Sequence, residues 1–105
     1  MKLLDTVAGS SAKSADYFNS IGIGNYEFIY ISIKGVTSSG AEIRGGVFIR
    51  SDSFSVDTAT GNVKFIIENN SANTAEVTYR KSNNDWYFSP LGSYNTTFSI
   101  YGVAI

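Results

Sequence analysis

The sequence predicts an all-β fold: a single antiparallel β-sandwich, jelly-roll-like, with about seven to eight short strands. Apolar residues recur with a period of two, as in residues 74–81, where Ala75, Val77 and Tyr79 share one face. Breaks rich in Gly, Asn, Asp and Ser separate these segments, and such residues readily reverse the chain. No stretch of about ten residues has the spacing of an amphipathic helix.

Two predicted strands, residues 26–34 and 96–105, are apolar on both faces. In the first, a row of three isoleucines opposes Tyr26, Phe28 and Tyr30. We expect a second sheet to cover one side of each strand, and a loop, a ligand or a neighbouring subunit to cover the other. The other predicted strands are residues 42–50, 54–57, 63–68, 74–81 and 86–89.

The length of 105 residues predicts a single domain. Residues 26–105 are expected to form the sandwich. Residues 1–25 are less regular and predict an N-terminal arm or an edge strand, with residues 3–7 as the strand. Within residues 42–50, the Gly45-Gly46 pair predicts a bulge or a close backbone approach.

Composition argues against several classes of function. The 8 basic and 9 acidic residues give no positive field for nucleic acid, and no window approaches the ~20 apolar residues of a membrane-spanning helix. The first charge after the N-terminal leucines comes at Asp5, too early for a classical signal peptide. We therefore expect no nucleic-acid partner and no membrane insertion.

The sequence predicts no enzyme, no cofactor and no metal. It has no Cys and no His, which removes thiolate ligands and the usual general base. A hydrolase would have to use a pair among four carboxylates, Asp52, Asp57, Glu68 and Asp85. Residues 57–62 carry oxygen ligands that could suit Ca²⁺, but an ordinary hairpin turn explains the same residues.

Aromatic and amide side chains provide the most informative pattern. Sugar recognition pairs a flat apolar ring, which stacks on a pyranose, with amides and carboxylates that bind hydroxyl groups. Two turns combine these groups, and we expect them to lie at one end of the sandwich. Trp86 is either a stacking platform or a core residue. The candidate glycan-binding residues are Asn83, Asn84, Asp85, Trp86, Tyr94 and Asn95.

Two segments resemble the distal modules of bacteriophage tail fibres and tailspikes. Residues 55–63, which end in Gly61-Asn62-Val63, are similar to hairpins common in those proteins. Residues 93–103 look like the last strand of their small C-terminal modules. Together the two segments cover about a fifth of the chain.

This resemblance implies a receptor-binding module on the virion, at the tail tip, that forms a homotrimer and contacts bacterial surface polysaccharide or lipopolysaccharide. A cyclic trimer about the C-terminal strand would cover that strand's second apolar face. Two alternatives are a purely structural domain that trimerises or caps a stalk, and a carbohydrate-binding module of a bacterial adhesin or enzyme.

Overall fold

The computed structural model describes residues 1–55, 62–70 and 73–104. Within these ranges the chain forms eight strands in two antiparallel sheets, which confirms the predicted all-β sandwich. The strands are β1 (Lys2–Ala8), β2 (Ser11–Ser14), β3 (Phe28–Val36), β4 (Glu42–Arg50), β5 (Val63–Asn70), β6 (Asn73–Arg80), β7 (Asp85–Ser89) and β8 (Asn95–Val103). The described helical segments are α1 (Tyr17–Ser20) and two 3-10 helices, Ile23–Asn25 and Ser51–Phe54.

Sheet A has the strand order β1-β8-β3-β4, and sheet B has the order β2-β7-β6-β5. Strands from the two ends of the chain are therefore neighbours in both sheets, since β1 lies beside β8 and β2 beside β7. The pairing of β1 with β8 and of β2 with β7 is that of a jelly roll, whereas β3-β4 and β5-β6-β7 are each connected within one sheet. The hairpin β3-β4 and the meander β5-β6-β7 complete the sheets. The smallest extent of the molecule, 20 Å, suits two layers packed about 10 Å apart.

The N-terminal segment contributes an edge strand to each sheet. Strand β1 pairs with β8, and β2 pairs with β7, so the chain crosses between the sheets at Gly9-Ser10. The Gly9 amide donates to the Thr96 carbonyl and the Ser10 amide to the Phe88 carbonyl, both at 2.8 Å. A Cβ at Gly9 would lie 2.9 Å from Cβ of Pro90, so this crossing requires glycine. Residues 2–14, which lie before the predicted range of 26–105, thus contribute strands to the sandwich.

One local prediction differs from the structure, and for a second the structure selects one of two alternatives. Alternation predicts a strand at 54–57, but Phe54 ends a 3-10 helix and is buried, while residues 56 and 57 lie outside the described ranges. The continuous register between β3 and β4 shows that the Gly45-Gly46 pair forms no bulge. Close approach does occur there: a Cβ at Gly45 would overlap the Glu68 carboxylate, and one at Gly46 would overlap the Tyr30 ring.

The core lies between the sheets and is built from alternate residues of the strands. Strand β3 buries its isoleucine row, as predicted, and β8 buries Phe98 and Ile100 against it. Sheet B contributes the inward residues of β6 and β7, which include Val77, Tyr79 and Trp86. The two-residue period of the sequence therefore encodes which side chains face inward.

Trp86 lies at the centre of an aromatic cluster, with no exposed surface. Ring centroids of Phe18, Tyr79, Phe54 and Phe65 lie 5.0, 5.6, 5.7 and 6.1 Å from its own. The indole N–H donates to the Ala15 carbonyl at 3.3 Å, so the one polar atom of the ring has a partner. The cluster joins α1, the 3-10 helix after β4, and strands β5, β6 and β7.

Tyr17 of α1 ties the helix to strand β1. Its hydroxyl donates to the Asp5 carboxylate at 2.6 Å, and its ring is 7% exposed. Burial raises the pKa of the Tyr17 phenol well above its ordinary value, and the hydrogen bond and charge of Asp5 raise it further. The folded state therefore strongly favours the neutral phenol.

We expect Trp86→Ala to lower the free energy of unfolding by about 3–5 kcal/mol, because it leaves a large cavity among four rings. Tyr87→Ala is the matched control, since Tyr87 is the next residue of β7 and points to the outer face of sheet B. Its loss should stay within about 1 kcal/mol. Urea denaturation measures both values, and equal losses would contradict the assignment of the two faces.

Raising the pH should destabilise the wild type through Tyr17. Because the folded pKa lies above the unfolded value of about 10, its stabilisation is complete below pH ~10 and falls by about 1.4 kcal/mol per pH unit above it. Tyr17→Phe should remove this part of the pH dependence. Asp5→Asn should retain most of it, because burial is the largest cause. Denaturant titrations between about pH 9 and 11 measure the free energy of unfolding as a function of pH. If it falls equally steeply in wild type and Tyr17→Phe, Tyr17 is not the source of the pH dependence.

Candidate functional site

The two predicted binding turns lie at opposite ends of the sandwich, not at one end. Asn83 and Asn84 precede strand β7, whereas Tyr94 follows it. A strand of five residues separates the two turns by about 15 Å. The two turns therefore do not form the single loop site expected from the sequence.

The turn before β7 uses its polar groups within the protein. Asn84 has a left-handed backbone (φ 51°), and its side-chain oxygen accepts a 2.7 Å hydrogen bond from the Tyr79 hydroxyl. The Arg80 guanidinium donates two hydrogen bonds to Asp85, at 2.7 and 2.9 Å. These bonds hold the pKa of the Asp85 carboxyl below its usual value. Asn83 is exposed and accepts a hydrogen bond from Ser82.

Of the two alternatives for Trp86, the structure selects the core. A ring with no exposed surface has no face for a sugar. At the other end of β7, Tyr94 is half-buried, and a Cβ at Gly35 would lie 3.3 Å from its ring. Asn95 is exposed at the start of β8. Alternation places it on the outer face of sheet A, the same side as Thr97.

The carboxylates considered for hydrolysis do not form a recognisable pair. Asp85 is engaged by Arg80, and Asp52 lies 3.5 Å from the Arg50 guanidinium. Glu68 lies on β5 against Gly45 of β4. Asp57 lies outside the described residues, as does most of the turn at 57–62. No group of three or more acidic side chains suited to a metal ion occurs in the described ranges.

A groove with a volume of about 650 Å³ lies on the outer face of sheet A. It is lined by strands β8, β3 and β4. Because these strands pair in unbroken register, residues facing outward align in rows that run across the sheet. Three such rows define the groove.

The first, which we call the apolar row, crosses all four strands. Leu3 pairs with Tyr101, Tyr101 with Tyr30, and Tyr30 with Phe48. The Tyr30 ring lies 4.7 Å from Phe48 and 6.1 Å from Tyr101, between ring centroids. Leu3 and Phe48 are 52% and 59% exposed, an unusual proportion for large apolar side chains.

The second, the hydroxyl row, forms the floor. Thr6 pairs with Ser99, Ser99 with Ser32, and Ser32 with Gly46. These side chains are small, so the floor is lower than the rows on either side. Among the described residues, the protein offers no hydrogen-bond partner to the hydroxyls of Ser32 and Ser99. Because Gly46 has no side chain, the Tyr30 ring can lie directly over its backbone.

The third, the basic row, forms the other wall. Thr97 pairs with Lys34, and Lys34 pairs with Arg44. Glu42 contacts both cations: its carboxylate lies 3.5 Å from Nζ of Lys34 and 3.2 Å from the Arg44 guanidinium. The groove therefore combines stacking rings, hydroxyl groups and cationic donors on a rigid sheet.

Part of this site was visible in the sequence. The row of Tyr26, Phe28 and Tyr30 predicts a second covered face on β3, and Phe28 and Tyr30 do lie on the outer face. Tyr26 instead precedes the strand and packs over Gly102. Ser32, Ser99 and Gly46 carry no motif, and only the strand register brings them together.

A smaller hollow of about 340 Å³ lies at the Asn84 end of the sandwich. Asp16 and Asn19 line it together with Asn84. The Asn84 oxygen is already occupied by Tyr79, and the hollow lies beside the tightly packed Trp86 cluster. It thus offers fewer available groups than the groove on sheet A.

No protein-family model, curated protein or solved structure matches this chain. The resemblance to tail-fibre modules, and the location and partners it implies, stay predictions. In the described ranges, no helix has the length and apolar character needed to span a membrane.

Proposed function

We propose that this chain is a non-catalytic carbohydrate-binding domain and that it binds glycan in the groove on sheet A. The arrangement of the three rows carries the proposal: half-buried tyrosine rings border a floor where the Ser32 and Ser99 hydroxyls have no partner among the described residues, with charged donors opposite. Rings stack on the apolar face of a pyranose, while hydroxyls and cations bind its polar edge. The proposal moves the site from the loops to the sheet face.

Bacterial surface polysaccharide or lipopolysaccharide is the proposed ligand, and a tail fibre or tailspike of a virion is the proposed setting. Both rest on the sequence resemblance. An open groove with a few stacking and hydrogen-bonding contacts supports weak binding, on the order of 1 mM per site. Several linked copies, as in the proposed homotrimer, would raise the avidity.

The exposed apolar row favours one alternative, a structural role in self-association. Phe48 and Leu3 present apolar surface that a second copy of the chain would cover. In that case the module would cap or trimerise a stalk without binding glycan. The expectation that the trimer forms about the C-terminal strand needs revision in one respect: β8 is central in sheet A, with both edges hydrogen-bonded, so only its outer face could serve.

Tyr101→Ala should weaken glycan binding roughly tenfold, through loss of a stacking ring. Ser32→Val is the second variant: it removes a floor hydroxyl and raises the floor, while valine suits a strand. Binding is measured on a bacterial glycan array, then by calorimetry on the glycans found. Circular dichroism confirms that each variant is folded.

Two controls separate the groove from the loops and from the structural role. Tyr87→Ala removes a tyrosine from the outer face of sheet B and should bind as wild type. Tyr94→Ala tests the loop site. If glycan binding is lost in this variant and kept in Tyr101→Ala and Ser32→Val, the groove is not the binding site. If no glycan binds and Phe48→Glu dissociates a stable oligomer in light scattering, the structural role replaces the proposal.

We expect no release of reducing ends when the protein is incubated with the glycans it binds. None of the three considered carboxylates that lie in the described ranges, Asp52, Glu68 and Asp85, lines the groove, and Asp85 is held by Arg80. A reducing-end assay provides the measurement. Activity that survives in the wild type but is lost in Glu68→Gln or Asp52→Asn would make the chain a hydrolase.

A further inference from the structure

The basic row lies on the side of the groove opposite the tyrosines. Lys34 and Arg44 face each other across the β3-β4 pair, on the same outer face as the hydroxyl row. Their side chains are 45% and 68% exposed, so both can be reached by a ligand in the groove. Arg44 directs one terminal nitrogen to Glu42, and a guanidinium has further N–H donors.

The charges in this row do not balance. Two cations share a single carboxylate, that of Glu42, which leaves one positive charge in excess. Other ion pairs in the described ranges differ: Arg80 has its own Asp85, and Lys64 has its own Glu76. Arg50 lies between two acids, Glu27 and Asp52. Among the described ion pairs, the one in the groove is where cations outnumber acids.

This excess stands out because the chain as a whole has a net charge of −1. A polyanion is therefore not attracted to the protein in general. An anion placed in the groove would gain a charge-assisted hydrogen bond from the guanidinium and an attraction to the ammonium. A neutral saccharide would leave the excess charge without a partner.

We infer that the groove selects acidic saccharides, with Lys34 and Arg44 receiving a sugar carboxylate while another sugar ring stacks on Tyr101 or Tyr30. This inference rests on the proposed carbohydrate-binding function. Four residues of β3 separate Tyr30 from Lys34, or about 13 Å of strand. The stacked ring and the carboxylate then belong to different sugars, so the preferred ligand is an acidic oligosaccharide.

The inference gives Glu42 a specific role. Without a ligand, the Glu42 carboxylate pairs with Lys34 and Arg44. It therefore competes with the ligand's carboxylate for these two cations. Removing this competitor strengthens binding of an acidic ligand, whereas a purely structural ion pair would have no such effect.

The test compares acidic polysaccharides with their carboxyl-reduced forms, using polygalacturonate, alginate and hyaluronan as probes. Wild type should bind at least one acid roughly fivefold tighter than its reduced form at low salt, and the difference should shrink at about 0.5 M salt. Lys34→Gln/Arg44→Gln should abolish the preference, and Glu42→Gln should increase it. Lys64→Gln/Lys81→Gln, which removes the same charge from sheet B and its turn, should leave it unchanged.

The possible failures can be told apart. If neutral glycans bind in the groove and none of the three acids is preferred to its reduced form, the inference falls and the proposed function stands. An equal loss in the Lys64→Gln/Lys81→Gln control also overturns it, since overall charge would then explain the preference. If the folded protein binds no glycan on the array and none of the probes, the proposed function fails first and the inference with it.

Discussion

The burial of Trp86 is the constraint on which the rest of the sandwich depends. Its ring is surrounded by aromatic side chains from α1, from the 3-10 helix after β4, and from β5 and β6. Because its N–H is bonded to the Ala15 carbonyl, the segment leading into α1 is fixed as well. The segments linking the two sheets therefore converge on one ring. Sheet A lies outside this cluster, so its outer face is free to vary in chemistry.

On that outer face, the register determines the site. An unbroken antiparallel register converts residues far apart in the sequence, such as Ser32 and Ser99, into neighbours. Shifting β8 by one residue would exchange Ser99 with the buried Phe98 or Ile100, so the core that fixes the register also fixes the groove. Gly46 adds a local requirement, since any side chain there would displace the Tyr30 ring. The register that packs the core thus also holds the proposed binding surface in place.

Alternation allowed most of the fold to be predicted, because a half-buried strand must place every second residue inward. Strand β2 was missed since Ser11–Ser14 is short and carries no large apolar residue, and α1 is only one turn long. The groove could not be predicted from the sequence, because no pattern within a single strand reveals its register with another strand. The expectation that both turns lie at one end of the sandwich was wrong for a reason available in the sequence: two turns that flank one strand must lie at its opposite ends.

The two proposed roles, glycan binding and self-association, would compete for the same surface. The apolar row that borders the groove is also the exposed patch best suited to a second copy. A trimer packed through Phe48 would cover the β4 side of the groove, where the Tyr30 ring lies over Gly46. A trimer that keeps the groove open must therefore use another surface, such as the outer face of sheet B or the end near Asn84. In a receptor-binding module, the sheet A face would then point away from the symmetry axis, where each copy could reach the same polysaccharide.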